Sequence, residues 1–137
     1  MIHKAGLLIM RDNRILLCRK QHTTSLLILP GGKMEPDEPV IACIHREIRE
    51  ELGDVSAPWI TYLGTYQDQA AGMPDEIVEI VLFEGDLVGE PRPQAEIAEL
   101  VWFGKNDDRA LVSPSIRNRI LPDLIKRGLL DWEPERP

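Results

Sequence analysis

Between Leu26 and Gly53 the sequence makes two demands at once. The apolar run Leu26-Leu27-Ile28-Leu29 stops at Pro30-Gly31-Gly32, which reads as a short buried strand feeding a glycine turn. A helix follows, its start marked by Asp37 and Glu38 before Pro39 and its end by Gly53. Ile41, Ile44, Ile48 and Leu52 recur at helical spacing and make one apolar stripe that needs a sheet to pack on. At about 100° per residue, Glu47, Glu50 and Glu51 share an arc of about 100°, centred more than about 90° from that stripe. The helix must therefore bury one side and hold three carboxylates on a flank beside a glycine turn.

Carboxylates three and four residues apart repel by a few tenths of a kcal/mol each, and no lysine follows four residues on to compensate. A magnesium ion accounts for the pattern, being a hard cation that takes oxygen ligands, commonly one or two carboxylates with waters and substrate phosphates. The turn Leu29-Pro30-Gly31-Gly32 can bring a backbone carbonyl close, since glycine lets the chain approach a ligand without a Cβ. Arg46 is placed to brace the cluster by pairing with Glu47 or Glu38.

The rest of the chain frames this segment. Ala5 to Met10 and Ile15 to Arg19 read as a hairpin around residues 11–14. Trp59 to Tyr66 and Ile77 to Phe83 read as strands separated by a loop over 67–76, and Ile97 to Phe103 as one more. Ser113 and Pro114 begin a last helix, which Pro122 kinks or restarts and Gly128 ends, leaving a Trp132 tail that is poorly ordered unless it docks. Strands with a minority of helices point to α+β, or to a mixed β-sheet in an α/β/α sandwich, with the carboxylate-bearing helix and the C-terminal helix packed on the sheet.

The 137 residues suit one domain, and 43% hydrophobic residues suffice for a core. Cys18 and Cys43 lack metal or redox spacing and read as small buried hydrophobes, which points to a reducing compartment. The N-terminus lacks a signal-like apolar run and no stretch is long enough to span a membrane, so a cytoplasmic protein with no membrane partner is expected. His3, His22 and His45 have no ligand spacing. A net charge of −7 argues against nucleic acid as a partner. That charge is uneven: residues 1–31 sum to +4, 32–54 to −4, 55–104 to −8, and the remainder to +1.

The span Gly32 to Gly53 resembles the Nudix box, G-x5-E-x7-R-E-U-x-E-E-x-G-U with U apolar, matching at Gly32, Glu38, Arg46, Glu47, Ile48, Glu50, Glu51 and Gly53. Only the last position departs, with Asp54 where the box has an apolar residue, a change that touches packing after the helix rather than a ligand. Seven fixed residue types at roughly 7% frequency each would align by chance about once in 10⁸ starts. The flanking strands also look like those of a Nudix domain, so the resemblance extends over residues 1–137 as a single Nudix hydrolase domain.

The resemblance implies an α/β/α sandwich that hydrolyses a nucleoside diphosphate linked to a further group, with Mg2+ or Mn2+ as cofactor. Glu50 and Glu51 resemble the principal metal ligands, Glu47 a third ligand or the base, and Gly32 the glycine whose carbonyl binds metal. Glu38 resembles the acid that supports the loop, and Arg46 the arginine that orients the glutamates. Glu96 and Glu99 are the candidates for a base or ligand outside the box.

Arg19 and Lys20 stand where similar proteins bind substrate phosphates, and Ser115 and Asn118 where related ones read a nucleobase. The ADP-ribose branch often has a proline in the mid-teens of residues past the box; here Ala70 and Ala71 occupy that region and Pro74 comes late. Leu16 to Gln21 does not follow the additional motif of the coenzyme A branch. The MutT-like group is the better match, with a nucleoside triphosphate, oxidised ones included, cut to monophosphate and pyrophosphate. ADP-ribose or nucleotide-sugar hydrolysis is the alternative within the enzyme class, and a nucleotide-sensing Nudix module the alternative outside it. The expected partner is a small-molecule nucleotide, and homodimers are common among similar proteins.

Overall fold

The computed structural model describes residues 1–22 and 24–136. β1 (Ile2–Arg11) and β2 (Arg14–Lys20) form the expected hairpin, and both turn residues, Asp12 and Asn13, have positive φ, 52° and 62°. That is the geometry of a two-residue turn whose twist matches the flanking strands. The two strands stay paired only at Met10–Ile15 and Arg11–Arg14. Beyond that they splay, because residues 27–33 enter between them and pair with both. β3 (Gly31–Lys33) runs antiparallel to β1 with Lys4 opposite Lys33 and Gly6 opposite Gly31. On the other side Cys18 and Ile28 exchange both backbone hydrogen bonds, at 2.7 and 2.9 Å.

The strand expected at Leu26–Leu29 and the turn expected at Pro30–Gly32 are thus redistributed. Leu27 and Ile28 make only isolated bridges, whereas Gly31 and Gly32 are themselves strand residues. Glycine is what lets the chain lie this close: a Cβ on Gly31, whose φ is +139°, would sit 2.1 Å from the Ala5 carbonyl oxygen.

β4 (Ile60–Ala70), β5 (Met73–Gly85) and β6 (Ile97–Phe103) complete a mixed sheet in the order β4-β5-β1-β2-β6. β1 and β5 are parallel; the other pairs are antiparallel. The loop expected over 67–76 is instead the far part of the β4–β5 hairpin, turning at Ala71 and Gly72. Its Gln67, Asp68 and Gln69 lack an apolar face yet remain in register with Glu79, Val78 and Ile77. Backbone pairing holds the strand where side-chain patterning does not announce it.

Helices cover both faces, giving the α/β/α sandwich. α1 (Val40–Leu52) packs Cys43, Ile44, Ile48 and Leu52 against Leu7, Ile9 and Leu16. Ile41, expected in that stripe, is 50% exposed. It lies in the first helical turn, and helical side chains lean toward the N-terminus, so it overhangs the packed layer. The opposite face, carrying Leu8, Ile15, Leu17 and Phe103, takes the C-terminal helix through Ile116, Ile120, Leu121 and Leu124.

That helix begins at residues 114–115 and passes through a π-helical turn (Ile116–Ile120) into α2 (Leu121–Lys126). The π turn re-registers the backbone just where Pro122 lacks an N–H, so the helix continues rather than restarting. The tail docks: Trp132 is buried against Phe103 and donates its indole N–H to the Asn13 carbonyl at 2.8 Å. Among the described residues both cysteines are buried and free, and no helix is long and apolar enough to cross a membrane.

Candidate active site

Where β1 and β2 splay, the open ends of both strands, β3 and the second half of α1 surround a common space. Glu51 falls angularly beside the apolar stripe of α1 and is carried under β3, where it is buried and its Oε1 accepts the Gly31 N–H at 2.7 Å. Burial, joined by the neighbouring Glu47 charge, outweighs that hydrogen bond and pushes its carboxyl up to about 7. Burial likewise raises Glu47, against the pull of Arg46. A Cβ at Gly32 would lie 2.5 to 2.7 Å from the atoms of the Glu47 carboxylate. Only glycine lets that carboxylate rest against the β3 backbone.

Arg46 is the brace the sequence suggested, and it takes both partners. Its Nε and Nη2 donate to Glu38 at 2.8 and 3.0 Å in a bidentate pair, and Nη1 donates to Glu47 at 2.9 Å. Nη2 also donates to the Lys33 carbonyl at 3.2 Å, which ties the loop after β3 to α1. These hydrogen bonds from Arg46 hold the Glu38 carboxyl down to about 2. Glu50 stays exposed, 3.5 Å from Arg46.

Two adjoining cavities open here. The acidic one is lined by Glu47, Glu50, Glu51 and, from the opposite side, Glu96, which follows Ala95 at a φ of 52°. The second has no acidic lining. Its walls are Ile28 and Leu29, Val78 and Ile80 of β5, Ala70, Ala71 and Met73 at the β4–β5 tip, and Ser113, Ser115 and Ile116 at the start of the C-terminal helix. The two share Gly32 and three lysines, Lys4, Lys20 and Lys33.

The other residues singled out from sequence separate. Lys20 lines both cavities; Arg19 lines neither. A bulge between them re-aims the strand end, and Arg19 instead pairs with Glu99 and donates to the Ser25 carbonyl. Glu99 is thereby engaged outside the acidic cavity, while Glu96 lies within it. Ser115 lines the second cavity, whereas Asn118 donates to Asp68 on β4. Lys4 was not foreseen. Its place depends on the pairing of β1 with β3, a contact between residues about thirty apart that no local spacing encodes.

Carboxylates and a backbone carbonyl are hard oxygen donors, the chemistry magnesium and manganese select. Among the described residues no three acidic, histidine or cysteine side chains already form a closed cluster. Such a set suits an ion that completes its coordination with waters and substrate oxygens. Glu47, Glu50, Glu51 and the Gly32 carbonyl fit that requirement, and burial raises Glu47 and Glu51, so a bound cation would favour their charged forms.

Comparison with known proteins agrees with this architecture. The family described as the NUDIX domain matches over residues 2–123. A CTP pyrophosphohydrolase of Escherichia coli (strain K12) is 36% identical over 75 residues, 53% of this chain and 55% of that protein. An ADP-ribose pyrophosphatase of Methanocaldococcus jannaschii is 29% identical over 103 residues, 73% of this chain and 60% of that protein. The chain thus spans between a half and two thirds of the length of these curated relatives. The crystal structure of a MutT NUDIX hydrolase from Burkholderia pseudomallei superposes with a TM-score of 0.73 at 29% identity, covering 85% of this chain and 92% of that one.

Proposed function

The chain belongs to the NUDIX domain family, and from that premise we propose that residues 1–137 act as a single divalent-metal-dependent pyrophosphohydrolase domain, cutting a nucleoside triphosphate to the monophosphate and pyrophosphate. The observation that carries this reading is the pair of adjoining cavities, one acidic and one without acidic lining, with Gly32 between them. A nucleotide has the same division: a charged phosphate chain that travels with metal, and an uncharged base and sugar.

Glu47, Glu50, Glu51 and the Gly32 carbonyl would hold magnesium or manganese. When bound, the metal supplies the positive charge that lowers the pKa of a water and offsets charge on the phosphoryl oxygens. Arg46 fixes Glu38 and Glu47 in single rotamers, so these carboxylates need no reordering when substrate arrives. Gly31 fixes Glu51 through Oε1 and leaves Oε2 available. The proton released by the attacking water passes to a carboxylate facing the acidic cavity, a box glutamate or Glu96 across from it.

Product analysis on a panel of nucleotides with magnesium tests the reading. Monophosphate and pyrophosphate from a triphosphate are expected. A second reading, hydrolysis of ADP-ribose or a nucleotide sugar, is favoured by the Methanocaldococcus jannaschii relative and would release two monophosphates. Magnesium-independent binding across the panel without turnover would overturn both in favour of a sensing module.

A further inference from the structure

Three lysines, Lys4, Lys20 and Lys33, meet at the junction of the cavities. Six arginines, Arg11, Arg19, Arg46, Arg117, Arg119 and Arg127, pair with carboxylates. Among the described residues, Lys4, Lys20 and Lys33 make neither an ion pair nor a side-chain hydrogen bond, although acids outnumber bases 23 to 16 and four glutamates line the acidic cavity beside them. An unpaired lysine on open surface, such as Lys126, needs no explanation. Lys33 is itself exposed, but Lys4 and Lys20 are half-buried, and all three gather around one junction.

The fold brings them there from three strands. Lys4 and Lys33 are direct partners in an antiparallel pair, so their side chains leave the same face. Lys20 stands across the gap, at the end of β2, re-aimed by the bulge beside it. Lys4 is half-buried, so its ammonium is partly stripped of water; Lys20 and Lys33 repel it, and the Glu51 and Glu47 charges offset part of that repulsion. Such a grouping is destabilising on its own, and salt bridges to the nearby glutamates would relieve it. No such bridge forms among the described residues, so the ammonium groups stay free to meet an anion at the junction.

We propose that Lys4, together with Lys20 and Lys33, binds the anionic chain of the substrate between the two cavities and makes Lys4 a specificity-determining residue that favours the longer, more highly charged phosphate chain. The inference rests on the nucleotide-hydrolase reading for the identity of its substrate, and not for the anion site itself. A triphosphate carries about four negative charges near neutral pH, against about two on a diphosphate bridge between nucleoside and sugar. Attraction to a fixed group of ammonium charges grows with that number. Lys4, central to the group by its pairing with Lys33, contributes more to a triphosphate than to a diphosphate bridge.

The test compares wild type with Lys4→Gln, Lys4→Arg and the surface control Lys126→Gln. Calorimetric titration of inorganic tripolyphosphate and of pyrophosphate into metal-free protein reads the anion site directly. Tripolyphosphate is expected to bind wild type more tightly than pyrophosphate, to lose about tenfold in affinity in Lys4→Gln, and to recover in Lys4→Arg. In steady-state kinetics Lys4→Gln should raise KM for a nucleoside triphosphate about tenfold with little change in kcat, and raise KM for ADP-ribose less.

Unchanged tripolyphosphate affinity in a folded Lys4→Gln protein would overturn the proposal, as would equal losses for both substrates through kcat. A Lys4→Gln protein that melts lower but binds the anion as wild type does would show a structural role and also overturn it. If no nucleotide is turned over and Lys4-dependent tripolyphosphate binding persists, the hydrolase reading fails and the anion site stands.

Discussion

At Gly32 the absence of one carbon atom is what allows a carboxylate to touch the backbone, since a Cβ would come within 2.5 Å of the Glu47 carboxyl carbon. Arg46 holds Glu47 in place, so the clash cannot be relieved by a free rotation of that side chain. Gly32→Ala is expected to lower turnover at least tenfold and cost about 1–3 kcal/mol of stability, read by steady-state kinetics and by urea unfolding. Glu51→Gln separates chemistry from folding more sharply. The amide oxygen can still accept the Gly31 N–H, and the variant removes a charge that burial disfavours. In chelator it should melt no lower than wild type, while magnesium-dependent turnover falls about 10²- to 10⁴-fold; turnover at the wild-type rate would remove Glu51 from the machinery. The box residues were legible because their spacing is local to one loop and one helix. Lys4 was not, and Arg19 and Lys20 could not be told apart, because a bulge and a strand pairing decide where those side chains go.

Between α1 and the loop that precedes it, the bidentate Arg46–Glu38 pair does the joining, with Glu38 also accepting the Glu35 N–H at 3.1 Å. The Glu38 carboxyl is held down to about 2 in the folded protein, against an ordinary value of 4.5. A depressed carboxyl stabilises the fold above its unfolded pKa and loses that contribution as pH falls through the folded one. Wild type should therefore melt above Glu38→Gln from pH 7 down through about 4.5, with the difference disappearing toward pH 2. A difference that vanished already at pH 5 would contradict the assignment. At this scale the sequence located most elements and misjudged their extent. The spacing predicts a loop over 67–76 where the β4–β5 hairpin continues, because its side chains do not alternate, and the restart expected as one alternative at Pro122 does not occur, because a π turn leaves no mark in residue spacing.

Across the whole molecule, the β1–β2 hairpin is fastened to the chain's end. Trp132 packs at a tilt against Phe103 of β6, donates to Asn13 in the hairpin turn and carries the Arg109 guanidinium 5.6 Å above its ring. Trp132→Ala should cost about 3–5 kcal/mol in chemical denaturation, with the active-site residues untouched. A loss under 1 kcal/mol would mean that the tail merely rests on the surface. The acidic excess of residues 55–104 also finds part of its explanation at this scale. Asp68, Glu79, Asp86 and Glu99 each pair with a cation or amide on another element, Arg119, His3, Arg11 and Arg19 among them. Their carboxylates join strands and helices that are distant in sequence, which charge counting along the chain cannot reveal.

The splay between β1 and β2 also bears on how such a protein can change over generations. Much of the wall of the second cavity comes from the β4–β5 tip and the start of the C-terminal helix, whereas the acidic residues come from α1 and the loop before β6. Mutations at Ala70, Ala71, Met73 or Ser113 can reshape the guest's compartment without moving a carboxylate. Among the described residues the two cavities hold Gly32 and the three lysines in common, so a substitution at any of these four positions alters both compartments at once.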